Sequence, residues 1–148
     1  MGQDEPMETA SADAFGRRLA VGVGVNLMSA DVLLATRFCV EVLGCRLIRG
    51  DADFAALELL GSIFLIHSDR TYRDHPFRGV FEGEEARGRG IELRLYGVNP
   101  DQAEERARAF DAVILSGSMD KPHGLRECYL IGPDGYVWVP SLAASVAP

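Results

Sequence analysis

The chain has 148 residues, 47% of them hydrophobic and 25% charged, which is the composition of one ordinary globular domain and excludes a wholly disordered chain. A chain of this length can bury a core without disulfides or a structural metal. The 22 acidic residues outnumber the 15 basic ones and give a formal net charge of -7. This charge argues against nucleic acid or an anionic membrane as the main partner, and it fits a neutral or cationic small ligand better.

The cysteines and the two ends of the chain bear on its location. Cys39, Cys45 and Cys128 are odd in number and lack C-x-x-C spacing, so reduced, buried thiols and a cytoplasmic protein are expected. The start of the chain lacks the basic and apolar segments of a signal peptide, and no later apolar run is long enough to cross a membrane. Residues 1–18 are polar and without period, which predicts a flexible tail, and residues 143–148 are expected to form a second tail.

The first half of the chain, residues 19–68, has the pattern of a strand, a helix and three strands. Alternating apolar residues predict a strand over residues 20–28. Asp31 is a candidate N-cap, and the apolar stripe that follows it ends at Gly44, so a helix is predicted between them. Three short strands are then predicted near residues 45–50, 54–60 and 62–67.

The second half, residues 90–142, repeats this order of elements after a charged, glycine-rich linker over residues 69–89. Asn99 and Pro100 predict the start of its helix, with an N-cap side chain followed by proline at the first helical position. Its strands are predicted at residues 90–96, 112–115, 125–131 and 136–139. The sequence therefore predicts an α+β fold of two βαβββ modules that form a cup-shaped curved sheet with the helices on the outside.

Short motifs in both halves point to a known superfamily. They are Asp31, Phe38 and Val42-Leu43-Gly44 in the first half, and the loop Asp120-Lys121-Pro122-His123-Gly124-Leu125-Arg126-Glu127 and the hairpin Pro133-Asp134-Gly135-Tyr136 in the second. In their order and spacing, over residues 20–142, the chain resembles the vicinal oxygen chelate superfamily, which contains glyoxalase I, bleomycin resistance proteins and extradiol dioxygenases. Gly132 departs from the aspartate that usually opens the hairpin.

The resemblance implies four positions for metal ligands, two on the first strands and two on the last strands of the modules. In this chain they fall on Gly24, Gly90, Phe64 and Val139, and none of these side chains has a donor atom. Asn26 and Glu92 lie on the same strand faces, but a shift of two residues displaces a side chain by roughly 6.6 Å, about three metal-ligand bond lengths. We therefore expect no metal and no cofactor.

Strand alternation predicts which side chains line the cup. Gly24 and Gly90 either deepen this cavity or mark only bulges and close packing. Glu92 and Arg94 point the same way, so they either neutralise each other or recognise a polar group of a ligand. Trp138 is expected on the opposite face, in the core. The predicted ligand-binding residues are Asn26, Met28, Phe64, Glu92, Arg94, Tyr96 and Val139 in the strands, with His123 and Arg126 in or beside the loop that the resemblance places at the mouth of the cup.

Three functions are compatible with these residues. The favoured one is a metal-free protein of the bleomycin-resistance type, which binds a small organic and, given the acidic charge, cationic molecule in the central cup. The alternative is a metal-dependent lyase, isomerase or dioxygenase of the same superfamily with relocated ligands. A metal-free enzyme that uses Glu92 or His123 as acid or base is the third. The resemblance and the strand edges also predict a homodimer.

Overall fold

The computed structural model describes residues 5–83 and 85–145. The helices are α1 (Ala12–Arg17), α2 (Val32–Glu41), α3 (Arg78–Phe81) and α4 (Pro100–Phe110), with short 3₁₀ turns at Asp69–Tyr72 and Pro133–Gly135. The strands are β1 (Asn26–Ser29), β2 (Arg46–Gly50), β3 (Phe54–Leu59), β4 (Ser62–Ser68), β5 (Glu92–Tyr96), β6 (Val113–Asp120), β7 (Leu125–Ile131) and β8 (Val137–Ala143).

The strands form two four-stranded sheets with the same topology. The order is β1-β4-β3-β2 in the first sheet and β5-β8-β7-β6 in the second. Strand β1 pairs with β4, and β5 pairs with β8, in parallel, and all other neighbouring strands are antiparallel. This topology confirms the predicted α+β fold of two βαβββ modules.

The two long helices begin where the sequence predicts. The Asp31 carboxylate accepts a hydrogen bond from the Leu34 amide at 3.0 Å, and the Asn99 side chain accepts one from Gln102 at 3.2 Å. Each cap satisfies a backbone donor that the first helical turn leaves unpaired. Beyond the end of α2, Gly44 takes a φ of +81°, a left-handed conformation that favours glycine.

Helices α2 and α4 each cover one face of their own sheet, in agreement with the predicted fold, and they also contact each other. Phe38 on α2 contacts Phe110 on α4, with ring centroids 5.7 Å apart. Beside them, Phe64 of the first sheet contacts Trp138 of the second at 5.6 Å. The helix-covered faces of both sheets therefore share one core, because each helix buries its apolar stripe against its own sheet and against the other helix.

The N-terminal segment covers the other face of the first sheet. Residues 12–17 form α1, and Phe15, which is 5% exposed, packs edge-on against Phe54 with ring centroids 6.5 Å apart. The Arg49 guanidinium lies over the Phe15 ring and donates to the Ala10 carbonyl. Where the sequence suggested a flexible tail over residues 1–18, the structure has a helix that docks on the first sheet through Phe15, together with Ala10 just before it. Residues 1–4 lie outside the described residues.

The hairpin before β8 ties the two modules together. The Tyr136 hydroxyl donates to the Met28 carbonyl at 2.9 Å, and the Asp134 carboxylate accepts from the Ala30 amide at 2.8 Å. A Cβ atom on Gly132 would lie 2.7 Å from the ring of Phe38. The departure of Gly132 from the usual aspartate therefore has a steric cause, because the aromatic ring occupies the space of a side chain.

The remaining differences concern boundaries. Strand β1 begins at Asn26, six residues later than predicted, and the segment before it is exposed. The linker contains a 3₁₀ turn at Asp69–Tyr72 and the short helix α3. Of the predicted C-terminal tail, Ala143 belongs to β8 and residues 146–148 lie outside the described part of the chain. Among residues 5–83 and 85–145, no helix has the length and hydropathy that a bilayer crossing requires.

Candidate functional site

The face of the second sheet that turns away from the helices carries a polar cluster. In the strand register Arg94 stands opposite Val139, and Glu127 stands opposite Ser141. Paired residues of neighbouring strands point to the same side of a sheet, so side chains of β5, β7 and β8 meet on this face. The members of the cluster, here called the outer-face cluster, are Glu92, Arg94, Tyr96, Glu127, Tyr129 and Ser141.

Glu127 is the buried centre of the outer-face cluster. Its side chain is 1% exposed, and it accepts hydrogen bonds from the Tyr129 hydroxyl at 2.9 Å, from Ser141 at 3.4 Å and from Arg94. Burial raises the pKa of Glu127, but the hydrogen bonds from Tyr129 and Arg94 outweigh burial and leave this pKa below its ordinary value. Glu127 is therefore ionised at neutral pH.

Arg94 connects the members of the cluster. Its guanidinium donates to the Glu92 carboxylate at 2.8 Å and to the Tyr96 hydroxyl at 3.2 Å, in addition to Glu127. Burial lowers the pKa of Arg94, but these hydrogen bonds outweigh it and raise the pKa above its ordinary value. The sequence left open whether Glu92 and Arg94 neutralise each other or recognise a ligand, and the structure shows them paired.

Two side chains from the loop between β6 and β7 reach the edge of this cluster. The His123 Nε2 atom lies 3.6 Å from a Glu127 oxygen, and the Lys121 ammonium lies 5.5 Å from the centre of the Tyr129 ring. The two carboxylates of the cluster are thus matched by Arg94 and Lys121. Because these charges balance, this face does not favour the cationic ligand that the net charge of the whole chain suggests.

An open cavity of about 720 Å³ lies against the cluster. Apolar side chains of the second sheet form its floor, and the linker forms one wall. This combination of an apolar concave surface with a few polar groups is typical of small-molecule sites. The side chains that line this cavity include Arg89, Glu92, Leu115, Tyr129, Ile131 and Val137.

The predicted site residues divide among several places. Glu92, Arg94, Tyr96 and Val139 share the outer face, with Val139 fully buried in the strand, and His123 joins them. Asn26 and Met28 line a different cavity, between β1 and the linker. Phe64 and Arg126 lie elsewhere.

Phe64 was predicted to line the cup, and this is wrong. It stands opposite Leu57 on the helix-covered face and contacts Trp138, whose predicted core position is confirmed. Because side chains alternate along a strand, a displacement of one residue in the assignment reverses the face. Arg126 does not reach the cavity either, since its guanidinium donates two hydrogen bonds to Asp101, at 2.7 and 2.8 Å.

The residues present do not fit the metal that the resemblance implies. Gly24 and Gly90 have no side chain, and Val139 is aliphatic. On the outer face of the first sheet, Asn26 stands opposite Leu65, which is aliphatic as well. The carboxylates of the outer-face cluster already share Arg94, and soft or borderline metals need several free imidazole, thiolate or carboxylate donors. Within the described ranges, no three or more His, Cys, Asp or Glu side chains are grouped to hold an ion.

Sequence reasoning missed Glu127, Tyr129 and Ser141 as members of this site. The alternation of side chains along β7 and β8 places these residues on the same face as Val139. To recognise this from the sequence, the register between the two strands must be known. His67 was also missed as a half-buried group of the first sheet. Its ring packs between Phe54 and Tyr72, at 5.2 and 5.4 Å, and burial lowers the pKa of this imidazole.

Comparison with known proteins gives a consistent family for the fold. No protein-family model and no curated protein matches the sequence. Among solved structures, a glyoxalase/bleomycin resistance protein/dioxygenase from Nocardioides is 26% identical, with a TM-score of 0.63 over 90% of this chain and 92% of that one.

Two further structures are similar in fold at lower identity. A glyoxalase-related enzyme from Fulvimarina pelagi is 19% identical, with a TM-score of 0.66 over 83% of this chain and 88% of its own. A glyoxalase/bleomycin resistance protein/dioxygenase family enzyme from Burkholderia phytofirmans PsJN is 18% identical, with a TM-score of 0.67 over 81% of this chain and 96% of its own.

Proposed function

Because the chain has the fold and the sequence motifs of the glyoxalase/bleomycin resistance protein/dioxygenase superfamily, we propose that it binds a small organic molecule, without a metal, on the outer face of its second sheet. The observation that carries this proposal is the burial of Glu127 on a face with an open cavity. Burial of a carboxylate costs free energy, which three hydrogen-bond donors offset here. Such an arrangement is not expected on a sheet face that contacts only water.

The shape and charges of this face support a particular class of guest. Tyr129 and Leu115 offer apolar area, while Glu92 offers a polar contact at the rim. With the cluster charges balanced by Arg94 and Lys121, a planar and uncharged guest with polar substituents fits better than a strong cation. Glu92 and Glu127 both accept hydrogen bonds from Arg94, which occupies them as structural partners.

A thermal-shift screen tests this function. Neutral aromatic metabolites are expected to raise the unfolding temperature of the wild-type protein, and Leu115→Glu, which places a charge in the cavity lining, is expected to remove the effect. Leu115 is 59% exposed, so this change leaves the fold intact. Leu33→Glu, at an exposed position on α2 outside this cavity, serves as the matched control.

Two outcomes would contradict the proposed function. Stabilisation that survives Leu115→Glu would place the guest elsewhere. One tightly held transition metal per chain in protein purified without chelator would restore the metal-dependent lyase, isomerase or dioxygenase. Selective stabilisation by cationic drugs would instead overturn only the preference for an uncharged guest.

We further propose that two copies of the chain associate through their β1 edges. In the part of the chain that the structure describes, β1 pairs with β4 alone, so its other edge offers unpaired backbone groups. Val21 and Val23, in the loop before it, are fully exposed. An exposed apolar strand edge invites pairing with a second chain.

The oligomeric state checks this second proposal. Wild-type protein at micromolar concentration is expected to sediment as a dimer, and Val23→Lys is expected to shift it to monomer, because lysine on a strand edge opposes pairing. Val113→Lys, which changes an exposed valine on the opposite edge of the second sheet, is the control. A monomeric wild type, or dissociation by Val113→Lys alone, would remove the β1 interface.

The thiols support a cytoplasmic location as part of the same proposal. Cys39, Cys45 and Cys128 are all buried and none forms a disulfide. Unpaired thiols are typical of reducing compartments.

A further inference from the structure

A second cavity lies between β1 and the linker. The first cavity, of about 720 Å³ beside the outer-face cluster, is here called the outer-face cavity. The volume of the second cavity is about 550 Å³, within the range of roughly 300–1,000 Å³ for small-molecule sites. Leu27, Leu93 and Tyr136 form its floor, where Tyr136 bridges the two modules. We call it the linker groove.

The walls of the linker groove expose apolar side chains to water. Val80 is 72% exposed, and Phe77 and Ile91 are exposed as well, although all three face the same concave surface. Apolar side chains gathered around a concavity mark a binding site more strongly than the same residues scattered on a surface. The groove is therefore shaped for an apolar body.

The described lining of the linker groove carries charges of one sign. Among residues 5–83 and 85–145 it holds the guanidinium groups of Arg87 and Arg89 and no carboxylate. Arg87 is bound by Asp69, at 2.5 and 2.7 Å. Arg89 is exposed and has no carboxylate partner within residues 5–83 and 85–145. In a chain with a net charge of -7, a concave surface whose described charged groups are arginines favours an anion.

We propose that the linker groove binds a small amphiphile, with an apolar body against Phe77, Val80 and Ile91 and a single anionic group on the Arg89 guanidinium. Arg89 also lines the outer-face cavity, where the Glu92 carboxylate is a second charged group of the lining. The linker groove and the outer-face cavity meet at Ala86, Arg89 and Ile91, which line both. Val80 lines only the groove and Leu115 only the outer-face cavity, so variants at these two positions test the two proposals separately. The Asn26 amide, at the rim of the groove, supplies a further donor for the anionic group.

Two fluorescent dyes with the same ring system test the charge requirement. The probes are 8-anilinonaphthalene-1-sulfonate, which is anionic, and N-phenyl-1-naphthylamine, which lacks the sulfonate. The wild-type protein is expected to bind one molecule of the anionic dye per chain. Arg89→Gln is expected to lower the affinity for the anionic dye by about fivefold to tenfold and that for the neutral dye by less than about twofold. Only the anionic dye loses a charge-assisted hydrogen bond.

Further variants locate the dye. Val80→Glu puts a carboxylate into the groove and is expected to weaken the anionic dye more than the neutral one. Arg73→Gln, which removes an exposed arginine outside the groove, and Leu115→Glu, which alters only the outer-face cavity, are expected to leave both affinities unchanged.

Three results would overturn the assignment. They are an equal effect of Arg89→Gln on both dyes, loss of dye binding by Leu115→Glu with none by Val80→Glu, and dissociation of a dimer by Val80→Glu without a change in either affinity. The last result would identify the groove as a contact between copies of the chain.

Discussion

Replacement of Phe38 by alanine is expected to lower the free energy of unfolding by about 3–5 kcal/mol. Phe38 is 1% exposed, and its ring touches Phe110 of the other helix and the backbone space at Gly132 of the hairpin. Truncation leaves a cavity where the two modules meet, and neither module can move to fill it without losing contacts with its own sheet. Urea unfolding followed by the fluorescence of Trp138 measures the loss.

The control for this prediction lies on the same helix. Leu33→Ala, at an exposed position of α2, is expected to change stability by no more than about 0.5 kcal/mol. If Phe38→Ala costs as little as Leu33→Ala, the contact between the modules does not hold the fold together.

A second variant examines the same contact from the hairpin. Gly132→Asp restores the residue that the superfamily usually carries, but its Cβ would lie 2.7 Å from the Phe38 ring. We expect it to destabilise the wild-type chain and to cost much less when Phe38→Leu is present, because the smaller side chain vacates that space. Equal costs in both backgrounds would show that the ring does not exclude the aspartate.

Glu127→Ala is expected to lower the free energy of unfolding by about 2–3 kcal/mol, since it leaves Arg94 partly buried without its main partner and unpairs the Tyr129 hydroxyl. Glu92→Ala removes the other carboxylate from Arg94, but its side chain is half exposed. A cost below about 1 kcal/mol is expected there. Similar costs for the two variants in denaturant unfolding would contradict the central role of Glu127.

The effect of Glu127 also depends on pH. The pKa of Glu127 is lowered in the folded protein, so the stability that its charge provides is complete above its ordinary pKa of about 4.3 and is lost as the pH falls through the lowered value. The difference in stability between the wild type and Glu127→Gln should therefore stay constant from pH 7 to about 5 and shrink below about 4. A difference that does not shrink in acid would exclude this ionic contribution.

Local signals in the sequence were sufficient to predict where the two long helices begin and where the first of them ends. The caps at Asp31 and Asn99 and the turn at Gly44 depend only on neighbouring residues, and each lies where it was predicted. The pairing of Glu92 with Arg94 also follows from alternation within one strand. These features require no knowledge of how the modules pack.

Features that depend on packing between distant segments could not be predicted from the sequence. The face of Phe64 was reversed because an assignment displaced by one residue exchanges the two sides of a strand. Glu127 was overlooked since its burial depends on the register of β7 with β8. The docking of α1 was missed because the apolar face that holds Phe15 is assembled from three other strands.

The position of α1 makes the two halves of the molecule unequal. Both modules have the same strand order, and a duplicated architecture would offer two equivalent surfaces for guests. Phe15 and its neighbours occupy one of these surfaces from within the same chain. The repeat thus retains twofold topology, while α1 covers part of the face of the first sheet that corresponds to the proposed binding face of the second.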